Sequence, residues 1–357
     1  MSEAGQGMPR ALVILLGAAA AVVTVAGIKA MAWLLCPVLL ALIIVITISP
    51  VHQWLRRHGV RAWAATAALV VLGYGALVGL VLVLVVSVSR LAALLPQYAG
   101  RFHELLAGLT RALGRFGIEP EQVRQTLRSL DLGKVLTYAG ELMRGVGGLT
   151  TSLVFLLALL LFLIVELNGV GARLAELARD RPHATVALVG FSGRTRRYLV
   201  VTTIFGLIIA VLDTIALALL GVPLAVLWGL LSFVTNYIPT LGFIIGLVPP
   251  AVLALLDGGW ERMLLVILVY WAVNFVAQSL IQPKYVGNAV GLSAMTTFLA
   301  LVFWTWVLGP LGALLAIPAT LLVTTILIDI DPRASWAAAL LRAPVSARAA
   351  RRKADTR

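Results

Sequence analysis

Asp213 is the only one of fifteen acidic residues that falls well inside an apolar run of the chain. An ionisable group at that depth is costly, and where one persists it marks a solute pathway or a proton relay. The plain alternative is an aspartate near enough to the end of its span to reach water, or one hydrogen-bonded to Thr202, Thr203 or Thr214. A second candidate is the line Asn274, Gln278 and Gln282, whose spacing of four puts three amides on one helix face. Such a face turns to a cavity or a partner helix, not to lipid. It binds a hydroxyl-rich solute through neutral hydrogen bonds, or it joins helices. Thr235 and Asn236 form the third candidate, because they stand where the backbone itself is expected to break.

That break lies in the stretch 233–250, F-V-T-N-Y-I-P-T-L-G-F-I-I-G-L-V-P-P. It is apolar enough for a bilayer, yet it contains Pro239, Gly242, Gly246 and the pair Pro249-Pro250. Proline removes a backbone donor and glycine weakens a helix, so an interruption is expected here. Inside a membrane, irregular backbone survives only where protein or a wet cavity satisfies it. A shift of 70 residues lays Gly221 on Gly291, Phe233 on Phe303, Thr235 on Thr305 and Gly242 on Gly312. Each copy has a proline just before that last glycine (Pro239, Pro310) and another after it (Pro249, Pro318). Paired, Gly/Pro-interrupted apolar segments are the sequence mark of a secondary transporter. A simple kinked helix is the competing reading of either segment alone.

Composition sets the class. The chain has 357 residues, 61% of them hydrophobic and 12% charged, with a mean hydropathy of +1.03. That much apolar surface cannot be hidden in a soluble fold of this size, so an all-α polytopic membrane protein is expected. The formal charge of +13 does not point to nucleic acid, because the basic residues sit between apolar runs, as the positive-inside rule requires. Cys36 is the single cysteine, which leaves no internal disulfide.

In chain order, residues 1–90 hold three spans at about 12–28, 34–48 and 62–88, the first read as a retained helix and not a leader. Gly73, Gly75 and Gly79 of the third allow close helix contact. Residues 91–148 form an amphipathic extracytoplasmic insert, either an oligomerisation or gating arm or helices lying on the bilayer. Residues 149–197 give a fourth span at 151–165 and a basic cytoplasmic connector. Residues 198–330 hold a fifth span at 198–220, the first broken segment at 222–256, a span at 263–280 and the second broken segment at 291–328. Residues 331–357 are a basic tail. The cytoplasmic segments so defined carry 17 of the 28 lysines and arginines and put both termini inside. About eight membrane segments result. If 222–256 is one kinked crossing they are plain spans. If it is a re-entrant hairpin, the second broken segment opens from the other side and the two form an inverted repeat. The hairpin reading is preferred.

Other chemistries lack their residues. There is no G-x-x-x-x-G-K-[ST] loop and no H-E-x-x-H, and Gly190-Phe-Ser-Gly193 has the wrong spacing for a nucleophile elbow. An intramembrane enzyme would need a second catalytic group beside Asp213, so no enzyme, cofactor or metal site is expected. A passive channel and a non-transporting scaffold are the competing functions.

The segments T-N-Y-I-P-T-L-G-F-I-I-G-L-V-P-P (235–250), Q-P-K-Y-V-G-N-A-V-G-L-S (282–293) and G-P-L-G-A-L-L-A-I-P (309–318) resemble the autoinducer-2 exporter family of PerM-like permeases. The resemblance extends over nearly the whole chain. It implies a bacterial inner-membrane transporter associated with autoinducer-2 export or sodium/proton antiport, and a homo-oligomer, a pentamer, with an elevator-like moving part. Its partners would be the bilayer, a small polar solute and a proton or sodium ion. Carried over by motif position, Asn236, Pro239, Gly242, Pro249, Pro283, Gly287, Gly312 and Pro318 are framework residues. Asp213 matches no part of the family pattern.

Overall fold

The computed structural model describes residues 9–98, 100, 101, 104, 107, 108, 132–239, 241–277 and 292–330, with the backbone alone for 132–152. Gln278, Gln282, Pro283 and Gly287, most of the 91–148 insert and the 331–357 tail lie outside the described residues. The chain is all-α. Helices α1 (Arg10–Ala30), α2 (Ala32–Arg57) and α3 (Ala62–Leu94) are followed by a 3₁₀ turn, Leu95–Tyr98. Then come α4 (Leu132–Asp180), α5 (Pro182–Leu219), α6 (Ala225–Thr235), α7 (Gly242–Asn274), α8 (Ala294–Leu308) and α9 (Pro310–Thr324), which ends in a π turn, Thr325–Asp329. Among the described residues, six helices are long and apolar enough to cross a membrane, and three further apolar helices are shorter.

Several boundaries differ from those read in the sequence. The fourth span and half of the basic connector are one helix of 49 residues, about 73 Å long against about 30 Å of hydrocarbon. Nothing in G-A-R-L-A-E-L-A-R (171–179) breaks a helix, and the turn waits for Arg181-Pro182. Likewise α2 does not stop at Pro50. The Ile46 carbonyl, which Pro50 cannot serve, accepts the Ser49 hydroxyl at 3.0 Å. Of the three glycines in α3 only Gly73 is a contact point, with Leu160 against it; Gly75 and Gly79 have nothing within 4 Å.

Both broken segments fold back on themselves. Helix α6 ends at Thr235, and the chain turns through Ile238 N–H to Thr235 O (2.8 Å) and Gly242 N–H to Ile238 O (3.0 Å) before α7 begins. Gly242 then rests on the Thr235 carbonyl and Gly246 on Ser232, so α6 and the first arm of α7 form hairpin 1. Helix α7 itself is not straight. Gly259 adopts φ 76°, ψ −168°, a conformation that favours glycine. Gly246 and Tyr270 line one cavity, although a continuous helix would hold them about 36 Å apart. Residues 242–258 and 260–274 are therefore two antiparallel arms. In hairpin 2, α8 turns into α9 at Gly309 (φ 72°, ψ −157°), nearly the same backbone state, and Gly312 rests on the Trp304 carbonyl. The break points are thus the stretch after Thr235, Gly259 and Gly309. Pro249 and Pro318, expected to interrupt their segments, lie inside α7 and α9, and both helices run through them. A proline bends a membrane helix without ending it when neighbours satisfy the freed carbonyl. Pro310 does mark a break, as the first residue of α9.

Helix α5 fixes the direction of each hairpin. Val222 packs near Leu217, Gly229 on Ala210 and Thr214, and Asn236 at Thr202, so α6 runs antiparallel to α5. Leu315 packs near Leu199, and Ile317 and Leu321 near Phe191, so α9 also runs antiparallel to α5. One is the entering arm of its hairpin and the other the returning arm. The two hairpins consequently approach from opposite ends of α5.

A methyl group on Gly242 or Gly312 would meet backbone carbonyl, which cannot move aside as a side chain can. Gly242→Ala and Gly312→Ala should each cost about 1–3 kcal/mol in unfolding free energy in mixed micelles. Gly75→Ala, in open space, should be neutral or stabilise by up to about 1 kcal/mol. Equal unfolding midpoints for all three would contradict this packing.

Candidate functional site

The tip of hairpin 1 is held against α5 by small residues. Gly206, Ala210 and Thr214 recur every four residues on α5, and Gly229 of α6 sits directly on Ala210 and Thr214. That close approach brings Asn236 over Gly206, where its amide donates to the Thr202 carbonyl at 3.1 Å. The small-residue stripe is visible in the sequence as a helix contact pattern, but the apolar residues around it drew no attention to it.

Between α5, hairpin 1 and the 260–274 arm lies a cavity of about 10 Å³, room for about one water. Ser232, Thr235, Asn236, Tyr270 and Asn274 give it a polar lining, with Gly242, Gly246, Phe243 and Ile209 completing the wall. Four expected site residues, Thr235, Asn236, Gly242 and Asn274, therefore come together. Asp213 stands behind them, fully buried, with Ser232 and Tyr270 as its polar neighbours. Neither carboxylate oxygen has a hydrogen-bond partner among the described residues, and neither does the Tyr270 hydroxyl. Two of the three threonines that were the alternative explanation are engaged elsewhere: Thr203 donates to Leu199 O (2.6 Å) and Thr214 to Ala210 O (2.7 Å). Ser232 and Tyr270 were not singled out from the sequence. One serine and one tyrosine in apolar helices carry no spacing signal, and only the fold at Gly259 brings Tyr270 to Ser232.

Hairpin 2 does not line this cavity. Its contact with hairpin 1 is apolar: Ile238 packs against the cluster of Trp304, Leu308 and Ala313, and Tyr237 against that of Leu315. Gly312, Pro310 and Pro318 serve the internal packing of hairpin 2. Its tip is anchored by the Cys36 thiol donating to Leu308 O (3.6 Å) and by Lys29 over the Trp306 ring. Among the described residues no group of three or more His, Cys, Asp or Glu could hold a metal ion.

Charged clusters mark the mouths of both hairpins. At hairpin 1, Asp257 pairs with Arg262 and accepts the Tyr98 hydroxyl at 3.1 Å. Arg101 caps the carbonyls of Leu256 (3.1 Å) and Asp257 (2.8 Å), which the turn at Gly259 leaves without helical donors. At hairpin 2, Arg194 pairs with Asp329. None of these pairs was expected from the sequence.

Comparison with known proteins finds relatives over most of the chain. Residues 18–331 match the model of the AI-2E family transporters. The chain belongs to that family. It is 33% identical over 312 residues to the putative transport protein YhhT of Escherichia coli K12, covering 86% of this chain and 88% of the relative. The AI-2 transport protein TqsA of the same organism is 31% identical over 312 residues (87% and 90%). A putative transport protein of Haemophilus influenzae is 30% identical over 336 residues (92% and 95%). This AI-2E transporter is thus a multi-pass membrane protein of a transport family.

The contact of Asn236 with α5 can be tested without a substrate. Asn236→Ala should lose about 1 kcal/mol with the hydrogen bond to Thr202. Gly206→Ala should push the same amide away, since its methyl would lie 2.9 Å from Nδ2. The cost of Gly206→Ala should therefore shrink in the Asn236→Ala background, by about 1 kcal/mol in a double-mutant cycle. Additive costs would show that the two residues do not meet.

Proposed function

We infer that this protein is a gradient-driven secondary transporter of a bacterial inner membrane, exporting a small polar solute of the autoinducer-2 kind. The observation that carries this reading is the pair of opposed hairpins with a buried polar cavity at the tip of one. Interrupted helices entering from opposite faces are how such carriers place free backbone groups and half-helix ends around a cargo. The one-water size of the cavity supports a carrier at rest between turnovers; a passive channel needs a continuous path. Membership in the AI-2E family, and the likeness to the AI-2 transport protein TqsA, favour autoinducer-2 as the first solute to test.

Asp213 is the coupling residue of this scheme, loading a proton or a sodium ion. No basic side chain among the described residues acts on its carboxylate. An uncompensated carboxylate in the middle of a bilayer costs about 3 kcal/mol even on the lenient insertion scales. A cation that joins and leaves it once per cycle would turn that cost into coupling. In the membrane both termini are cytoplasmic, the two hairpins form an inverted repeat, and the insert after α3 contacts neighbouring copies in a homo-oligomer.

In proteoliposomes, Asp213→Asn should abolish uphill autoinducer-2 flux driven by proton or sodium gradients. It should keep at least a third of the exchange between equal pools on the two sides. Loss of both, with the protein folded, would place Asp213 in solute binding and not in coupling. Orientation has its own check in a Cys36→Ser background. Trp260→Cys, half-exposed after the Gly259 turn, should react with an impermeant thiol reagent from outside, as Leu219→Cys does, and Val186→Cys only from inside. Trp260→Cys reacting from inside would mean that 222–256 crosses the membrane once.

A further inference from the structure

The ion pair at the mouth of hairpin 2 is built unlike the rest of the core. Arg194 Nη2 donates to Asp329 Oδ2 at 2.5 Å and to the Thr325 hydroxyl at 3.1 Å. Thr325 is fully buried and its hydroxyl donates to Leu321 O at 2.7 Å. Asp329 reaches Arg194 because the end of α9 opens into a π turn, with Ile330 N–H bonded to Thr325 O at 3.1 Å. Next to the pair, Arg194 Nε and the fully buried Thr195 hydroxyl have no hydrogen-bond partner among the described residues. The pair is partly buried, and to the extent that it is, desolvation offsets the Coulombic gain.

That near-cancellation suits a contact that opens and closes. When the mouth is shut, the two charges attract at a partly buried site, where Arg194 is 29% and Asp329 14% exposed. When it opens, water solvates each of them, so the two states stay close in free energy. A π turn is a common mark of such functional distortion in a helix. The position fits as well, since the pair joins the last turn of α9 to α5, the helix against which both hairpins are set. The Asp257, Arg262 and Arg101 cluster occupies the matching place at the mouth of hairpin 1.

We propose that Arg194, Asp329 and Thr325 form a latch that holds the end of hairpin 2 to α5 and must open in every transport cycle. The latch rests on the reading of this chain as a carrier, and its test separates the two. In the full chain carrying Cys36→Ser, Arg194→Cys and Asp329→Cys are bridged with a short reducible bis-thiosulfonate, and the bridge is verified by mass spectrometry. Exchange of labelled autoinducer-2 between equal pools should fall at least tenfold in the bridged protein and return on reduction. Full exchange with the bridge in place overturns the latch. A second arm needs no solute. Arg194→Gln with Asp329→Asn leaves hydrogen-bonding groups but no charge, and amide hydrogen exchange across 310–329 should quicken at least tenfold. Unchanged exchange rates overturn the latch too. If the parent protein exchanges no autoinducer-2 at all, the carrier reading is what fails, and the hydrogen-exchange arm still decides whether the pair holds α9 to α5.

Discussion

The fold depends on one constraint: a backbone group without a partner is far more costly in hydrocarbon than in water. A chain that interrupts its helices at membrane depth must supply donors and acceptors at each break. Here each break has an identifiable supplier. The turn after Thr235 closes on itself and is roofed by the Asn236 amide on α5. The turn at Gly259 is capped by Arg101, and the turn at Gly309 presents the Leu308 carbonyl to the Cys36 thiol. Each break is thereby tied to an element distant in sequence. The insert after α3, helix α5 and helix α2 become parts of the hairpins they serve.

The second consequence concerns distance. A side chain can reach a carbonyl on a neighbouring helix only if the helices approach closely, and in lipid small residues provide that approach. Gly229 on Ala210, Gly242 on Thr235 and Gly312 on Trp304 are contacts of this kind. They explain why a 70-residue shift of the sequence aligns Gly242 with Gly312. Both glycines stand in the first turn of a returning arm and both lie on a carbonyl of the entering arm, seven residues back in one case and eight in the other. The aligned glycines are the residues on which each hairpin closes.

This also separates what the sequence revealed from what it concealed. Apolar runs, charge placement and paired glycines were legible because each is a local or periodic property. Thr235, Asn236, Gly242 and Asn274 were found because polar or small residues stand out in an apolar run. The true break points were harder to read. Proline suggested Pro249 and Pro318, where the helices in fact continue. The breaks at Gly259 and Gly309 depend on a positive φ that glycine permits but does not announce. Ser232 and Tyr270 were hidden for a different reason. They reach Asp213 only after α7 folds back at Gly259, and a contact made by a turn of that sort leaves no spacing in the chain.

Asp213 is a carboxylate that the fold buries without giving either oxygen a hydrogen-bond partner among the described residues. A structural carboxylate in an apolar bundle would be expected to collect hydrogen bonds, since each one offsets part of its desolvation. The threonines of α5 are close enough in sequence to provide them, yet Thr203 and Thr214 donate to their own helix. Ser232 and Tyr270 lie beside the carboxylate, and neither of its oxygens has a hydrogen-bond partner among the described residues. The Tyr270 hydroxyl beside it is likewise without a partner among the described residues. That arrangement is what the proposed coupling role of Asp213 requires, a carboxylate left open to a cation that joins and leaves it.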